Sequence, residues 1–147
     1  MLTNNGKAYL IPQRQTDGAA NVTYKLDSGI TQKKARSLID GVGVILGTSS
    51  TPATADDYAL GSQITGLTVV SEEAVEGTYD TRSVADKQIS AYTATVRNDT
   101  ENTITVAEVG VALKFSGVLN YALLSRDVIN PVSIAPGKTY AFSVVWG

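Results

Sequence analysis

The chain has 147 residues, 43% of them hydrophobic and only 18% charged, with 12 basic residues against 14 acidic ones. A compact domain near that size buries roughly 70% of its unfolded surface and needs no staples, and none are on offer, because cysteine is absent and so is histidine. Disulfides, thiolate chemistry, Cys-based zinc sites and every Ser-His-Asp arrangement are thereby excluded, and the scatter of Lys and Arg argues against a nucleic-acid partner.

The opening stretch MLTNNGKAYLIPQRQTDG lacks the charged start and apolar run of a signal peptide. It sets Asn, Gln and Gly around a short apolar patch, Tyr9, Leu10 and Ile11, and Pro12 cannot donate to a ladder. Residues 1–18 therefore read as an N-terminal arm or edge strand, and residues 19–147 as a single β domain. Asn21 to Leu26 predicts a strand, closed by the turn residues Asp27, Ser28 and Gly29. Thr31 to Asp40 puts Ala35, Leu38 and Ile39 at helical spacing, with Thr31 as cap and Gly41 as stop, which predicts one short helix. Val42 to Leu46 is a continuous apolar run, the mark of a buried strand.

The acidic stretch from Val69 to Asp86 is weakly patterned and reads as a projecting loop. Lys87 to Arg97 alternates, with Tyr92, Ala94 and Val96 on one side. After a turn at Asn98-Asp99-Thr100, Asn102 to Phe115 alternates again, with Val109, Val111, Leu113 and Phe115 facing one way and Glu108 and Gly110 the other. Val118 to Leu124, Val128 to Ile134 and Thr139 to Trp146 complete a run of short strands. Pro136-Gly137 forms the last turn, with Pro pre-set at the first central position and Gly free to take positive φ. Short, evenly spaced strands with turns between them predict an all-β fold, an antiparallel β-sandwich or a jelly-roll-like barrel. No apolar stretch nears the ~20 residues that span a membrane, so a soluble chain without a membrane partner is expected.

The loop after Gly47 is not a phosphate cradle, since no second Gly and Lys follow at P-loop spacing. Asp56 and Asp57 offer oxygens to Ca²⁺, but too few for an EF-hand site. Thr54-Ala55-Asp56-Asp57 fits a helix-start turn, a structural brace that would carry Tyr58 and Leu60 inward. Glu72, Glu73 and Glu76 form an acidic cluster of the kind usually found on a solvated face. Glu108 is read as an outward side chain on the wet face of its strand, or else as half of an inter-subunit salt bridge with Lys114 or Arg126. Trp146, the only Trp, belongs to the core or to an interface. No cofactor or metal is expected.

Two blocks of the sequence resemble structural proteins of tailed-bacteriophage virions. One is GVGVILGTSSTPATADDYALGSQI, an apolar strand running into a Thr-rich bend and a D-Y-x-L turn. The other is ITVAEVGVALKF with YALLSRDVI and NPVSIAPGKTYAFSVVW, which matches at Ile104, Glu108, Val109, Gly110, Leu123, Leu124, Arg126, Val132, Ile134, Gly137 and Val144. The resemblance implies an all-β, multi-copy, non-enzymatic virion component, namely a capsid decoration or head-associated protein, or else a tail or neck protein. Its partners would be the major capsid protein or tail and neck proteins, together with further copies of itself. Interface candidates are Tyr9, Leu10, Ile11, Glu72, Glu73, Glu76, Glu108 and Trp146. A carbohydrate- or receptor-binding module using Tyr58, Tyr79, Tyr92 or Tyr121 is the alternative, and a carboxylate hydrolase ranks last for want of His and Cys.

Overall fold

The computed structural model of the protein describes residues 1–10, 21–35, 39–77, 88–117 and 120–145. Helix α1 (Asn4–Leu10) precedes strands β1 (Asn21–Lys25), β2 (Thr31–Ala35), β3 (Ile39–Gly47), β4 (Leu67–Gly77), β5 (Gln88–Asn98), β6 (Ile104–Phe115), β7 (Tyr121–Ile134) and β8 (Thr139–Val145). One sheet runs β3-β6-β7, a second β4-β5-β8, and β1-β2 is a separate hairpin. Every pair is antiparallel. The chain is all-β and sandwich-like.

The core lies where alternating residues of both sheets meet. Val44 and Leu46 of β3, Tyr92, Ala94 and Val96 of β5, Val109, Val111 and Leu113 of β6, and Phe142 and Val144 of β8 are each at most 8% exposed. A fully buried Val, Leu or Phe side chain contributes roughly 1.5–3 kcal/mol, so this shared interior holds the two sheets together. Tyr24 of the hairpin reaches the same interior and packs its ring 5.6 Å from that of Phe115.

Four expectations change. Thr31–Ala35, the first half of the expected helix, is a strand, and residues 36–38 lie outside the described residues. Gly29, at φ 85°, turns the chain back after β1, and Thr31–Ala35 then pairs residue by residue with Asn21–Lys25. The ladder that half-buried β1 requires overrides a weak helical spacing. Likewise Val69 to Gly77 is not loop but most of β4. Its alternation is broken by irregularities between Val69 and Ser71 and between Val75 and Glu76, and an edge strand tolerates the acids.

Residues 1–10 are not an extended arm. Leu2 bridges Ser125, the Thr3 N–H donates to the Leu124 carbonyl at 3.0 Å, and the Thr3 hydroxyl accepts from the Gly6 N–H at 3.1 Å, capping α1. The Asn5 amide then closes two bonds with the Lys25 backbone, at 2.7 and 2.8 Å. Finally, the two strands expected around Leu124 and Val132 are one, β7, with an irregular register against β6 between Val106 and Glu108.

The final turn forms as read. Gly137 has φ 76°, and the Lys138 N–H donates to the Ala135 carbonyl at 3.0 Å across Pro136-Gly137. Fully buried Asn98 ties this end together. Its amide donates to the carbonyls of Asn102 and Ile134, and its side-chain oxygen accepts from the Thr100 N–H.

Candidate functional site

The Thr-rich bend and the buried charges of β6 and β7 meet at one place. After Gly47 the chain leaves β3 and returns alongside it, with the Thr48 N–H bonded to the Ser62 carbonyl and the Ile64 N–H to the Leu46 carbonyl. The intervening loop lies over the face of β6 that points away from the second sheet. Leu60 is buried there, and a side chain at Gly110 would come within 2.9 Å of both Leu60 and Leu123.

Glu108 projects from β6 into this layer and is completely buried. Its carboxylate accepts from the N–H groups of Gly61 at 3.0 Å and Ser62 at 2.8 Å, and from Arg126 Nε at 2.8 Å. Arg126, on β7 and 3% exposed, spends its other nitrogens on the same loop. Nη2 donates to the Thr51 carbonyl at 2.8 Å, and Nη1 donates to Asp57 Oδ2 at 2.9 Å and to the Pro52 carbonyl at 3.4 Å. Asp57 in turn accepts from the Thr54 N–H and hydroxyl, at 2.9 and 3.1 Å. Gly47 sits directly beneath, where a Cβ would lie 2.1 Å from Glu108 Oε1.

Burial alone would raise the pKa of Glu108, but the Ser62 N–H, the Arg126 guanidinium and the Gly61 N–H outweigh it and hold the carboxyl below its ordinary value. In Asp57 burial is outweighed in the same way by Thr54 and Arg126. Burial acts to lower the pKa of Arg126, and its two carboxylates more than reverse that. A general acid or base needs a pKa near the working pH and a face open to substrate. These carboxylates are driven the other way, and their oxygens are already bonded to protein donors. The arrangement holds a loop in place and has no proton to trade at neutral pH.

Several expectations are corrected here. Glu108 is not on a wet face, and its partner Arg126 belongs to the same chain. Tyr58 does not turn inward, being 36% exposed. Lys25 Nζ stands 4.3 Å from the centre of its ring, above a small depression of about 230 Å³ that Asn4, Asn5, Asp56 and Asp57 help to line. Asp56 accepts from the Asn4 amide at 2.9 Å, tying the turn to α1. Thr54–Asp57 closes into a turn but starts no helix, and Asp57 adds an ion pair that spacing does not show.

Tyr9 is buried in the core and Glu72 and Glu73 are exposed on β4. Ile11, Tyr79 and Trp146 lie outside the described residues, as do the side chains of Leu10 and Glu76. Tyr92 is buried and donates to the Val42 carbonyl at 2.7 Å. Burial, with Glu72 beside it, pushes its phenol up to about 12. The Tyr121 hydroxyl is bonded to Gln63 at 3.1 Å. Among the described residues no group of three acidic side chains gathers to hold a metal ion. Comparison with protein-family models, with curated proteins and with solved structures finds no match.

Proposed function

We propose that this chain is a non-enzymatic structural component of a tailed-bacteriophage virion, a multi-copy capsid decoration or head-associated protein that works through protein–protein interfaces. One observation carries the reading. The two sequence blocks that resemble virion structural proteins are far apart in the chain, and Arg126 of one bonds both to Glu108 of its own block and to Asp57 of the other. The shared residues thus support one rigid brace. A loop pinned in this way presents its outer residues without the ordering cost that weakens flexible interfaces, and a repeated shell component multiplies modest contacts by avidity.

The test is localisation in particles. Antibodies raised against the purified chain are applied to virions from a lysate that contains it, with immunogold microscopy for position and a quantitative gel for copy number. Decoration of heads at hundreds of copies is the expected result. Labelling at six or twelve copies on the neck or tail would move the protein to that part of the particle, and a chain missing from purified virions would end the reading.

A further inference from the structure

Among the described residues, β2 hydrogen-bonds to β1 alone and β4 to β5 alone. Alternate N–H and C=O groups along each strand therefore point away from its sheet, which is the template for pairing with another chain. The two edges are opposite in charge. β2 carries Lys33 and Lys34 and no acid, while β4 carries Glu72, Glu73 and Glu76 and no base. Each also starts with exposed aliphatic surface: Ile30, just before β2, is 54% exposed, and Val69 and Val70 on β4 are 41% and 45% exposed.

In sequence, Ile30 stands three residues before Lys33, and Val70, the extra residue at the irregularity between Val69 and Ser71, stands three before Glu73. Lys33 is exposed opposite Thr23 on the hairpin, and Glu73 is exposed opposite Thr93 on its own sheet.

We propose that the β2 edge of one copy adds in parallel to the β4 edge of a second copy, placing Ile30 beside Val70 and Lys33 beside Glu73. The antiparallel register that sets Lys33 against Glu73 also sets Lys34 against Glu72, but it puts Ile30 against Glu76 and away from Val70. Pairing β4 with β4 would oppose acids, and pairing β2 with β2 would oppose lysines, arrangements that cost affinity. Each copy carries one edge of each kind, so the contact is heterologous and extends into a ring or row. A five-residue edge runs only about 17 Å, so each contact is weak and gains by repetition. The contact specifies the self-association that the proposed multi-copy role needs, yet it is measured on purified protein.

The experiment is sedimentation velocity over a concentration series. Lys33→Glu and Glu73→Lys are the informative changes, because Lys34 already stands 5.5 Å over the Phe115 ring and Glu72 lies beside Tyr92. The wild type is expected to associate reversibly. Each single reversal should weaken association about tenfold or more through like-charge opposition. An equimolar mixture of the two variants, and the double variant Lys33→Glu/Glu73→Lys, should both regain it, and matching circular dichroism spectra exclude misfolding as the cause of any loss. A monomeric wild type, single variants that associate like the wild type, or a double variant no better than the singles would each overturn the proposal. Association that follows this charge pattern in a chain missing from virions would leave the contact standing and remove the proposed function. A chain present in virions whose association ignores both charges would do the reverse.

Discussion

The two sheets have three strands each and share one core, yet they treat their outer faces differently. Along β5, Tyr92, Ala94 and Val96 are buried while Thr93, Thr95 and Arg97 between them are not. Along β6 every residue from Val106 to Leu113 is buried. The second sheet leaves one face to water, and the first is covered by the loop that follows Gly47. Covering a sheet with irregular chain is costly, because such a segment carries N–H and C=O groups that no ladder satisfies. Glu108 and Arg126 answer that need. Between them they bond the N–H groups of Gly61 and Ser62 and the carbonyls of Thr51 and Pro52. Charge is buried here because it lets one sheet wear a loop on its outer side.

That contrast breaks most severely at the ion pair. Glu108→Ala or Arg126→Met should each lower unfolding stability by about 3–5 kcal/mol, the usual effect of stranding one member of a buried pair. Urea denaturation measures it. Replacing both members of a buried pair with apolar residues is often harmless, but in this protein the double variant Glu108→Leu/Arg126→Met should stay well below the wild type, because the loop's backbone groups would remain buried and unpaired. A double variant as stable as the wild type would mean that the loop is held by its apolar contacts instead. Next in size is Gly47→Ala. With 2.1 Å to Glu108 Oε1 and 2.5 Å to the Ser62 carbonyl there is no space for a methyl, and overpacking of this kind costs about 1–3 kcal/mol.

How much of this was legible in the sequence follows the same division. β5 and β8 were readable because one wet face produces clean alternation at Tyr92, Ala94 and Val96 and again at Phe142 and Val144. β6 alternates too, but with both faces buried the alternation no longer says which side is wet, and it points Glu108 to solvent. The available signal was a pair of opposite charges, Glu108 and Arg126, each in the middle of an apolar strand, which points to burial together. β4 was hidden by the two irregularities that break its period. β2 was hidden because a five-residue strand of Thr, Gln and Lys has no pattern of its own and exists through β1. The Thr54–Asp57 turn was visible in its spacing, whereas Asp57 bonding to Arg126 depends on a tertiary approach that spacing does not encode.

Lowering the pH tests the covered sheet again, with a smaller expected effect. Glu108 and Asp57 both have folded pKa values below their ordinary 4.5 and 3.8. A depressed carboxyl contributes stability that is fully present above its unfolded pKa and is lost as pH falls through the folded one. In that window the unfolded chain binds more protons, so stability rises with pH. Stability should therefore be flat above about pH 5 and fall below about pH 4, following these reference values. Asp57→Asn should flatten part of that slope, and chemical denaturation at a series of pH values reads it directly. An unchanged slope in Asp57→Asn would remove this carboxyl from the acid response.

The smallest effect is expected on the open sheet, and it sharpens the contrast by being small. Thr93 on β5 and Ser143 on β8 face each other across the ladder, with their hydroxyls 3.1 Å apart. Both hydroxyls lie on the outer face, where water replaces a lost partner, and valine favours a strand at least as well as threonine does. Thr93→Val, and the pair Thr93→Val/Ser143→Ala, should therefore stay within about 0.5 kcal/mol of the wild type. A loss approaching that of Glu108→Ala, measured in the same denaturant series, would mean that this face is covered as closely as the other, and the distinction between a sheet that wears a loop and a sheet that meets water would have to be withdrawn.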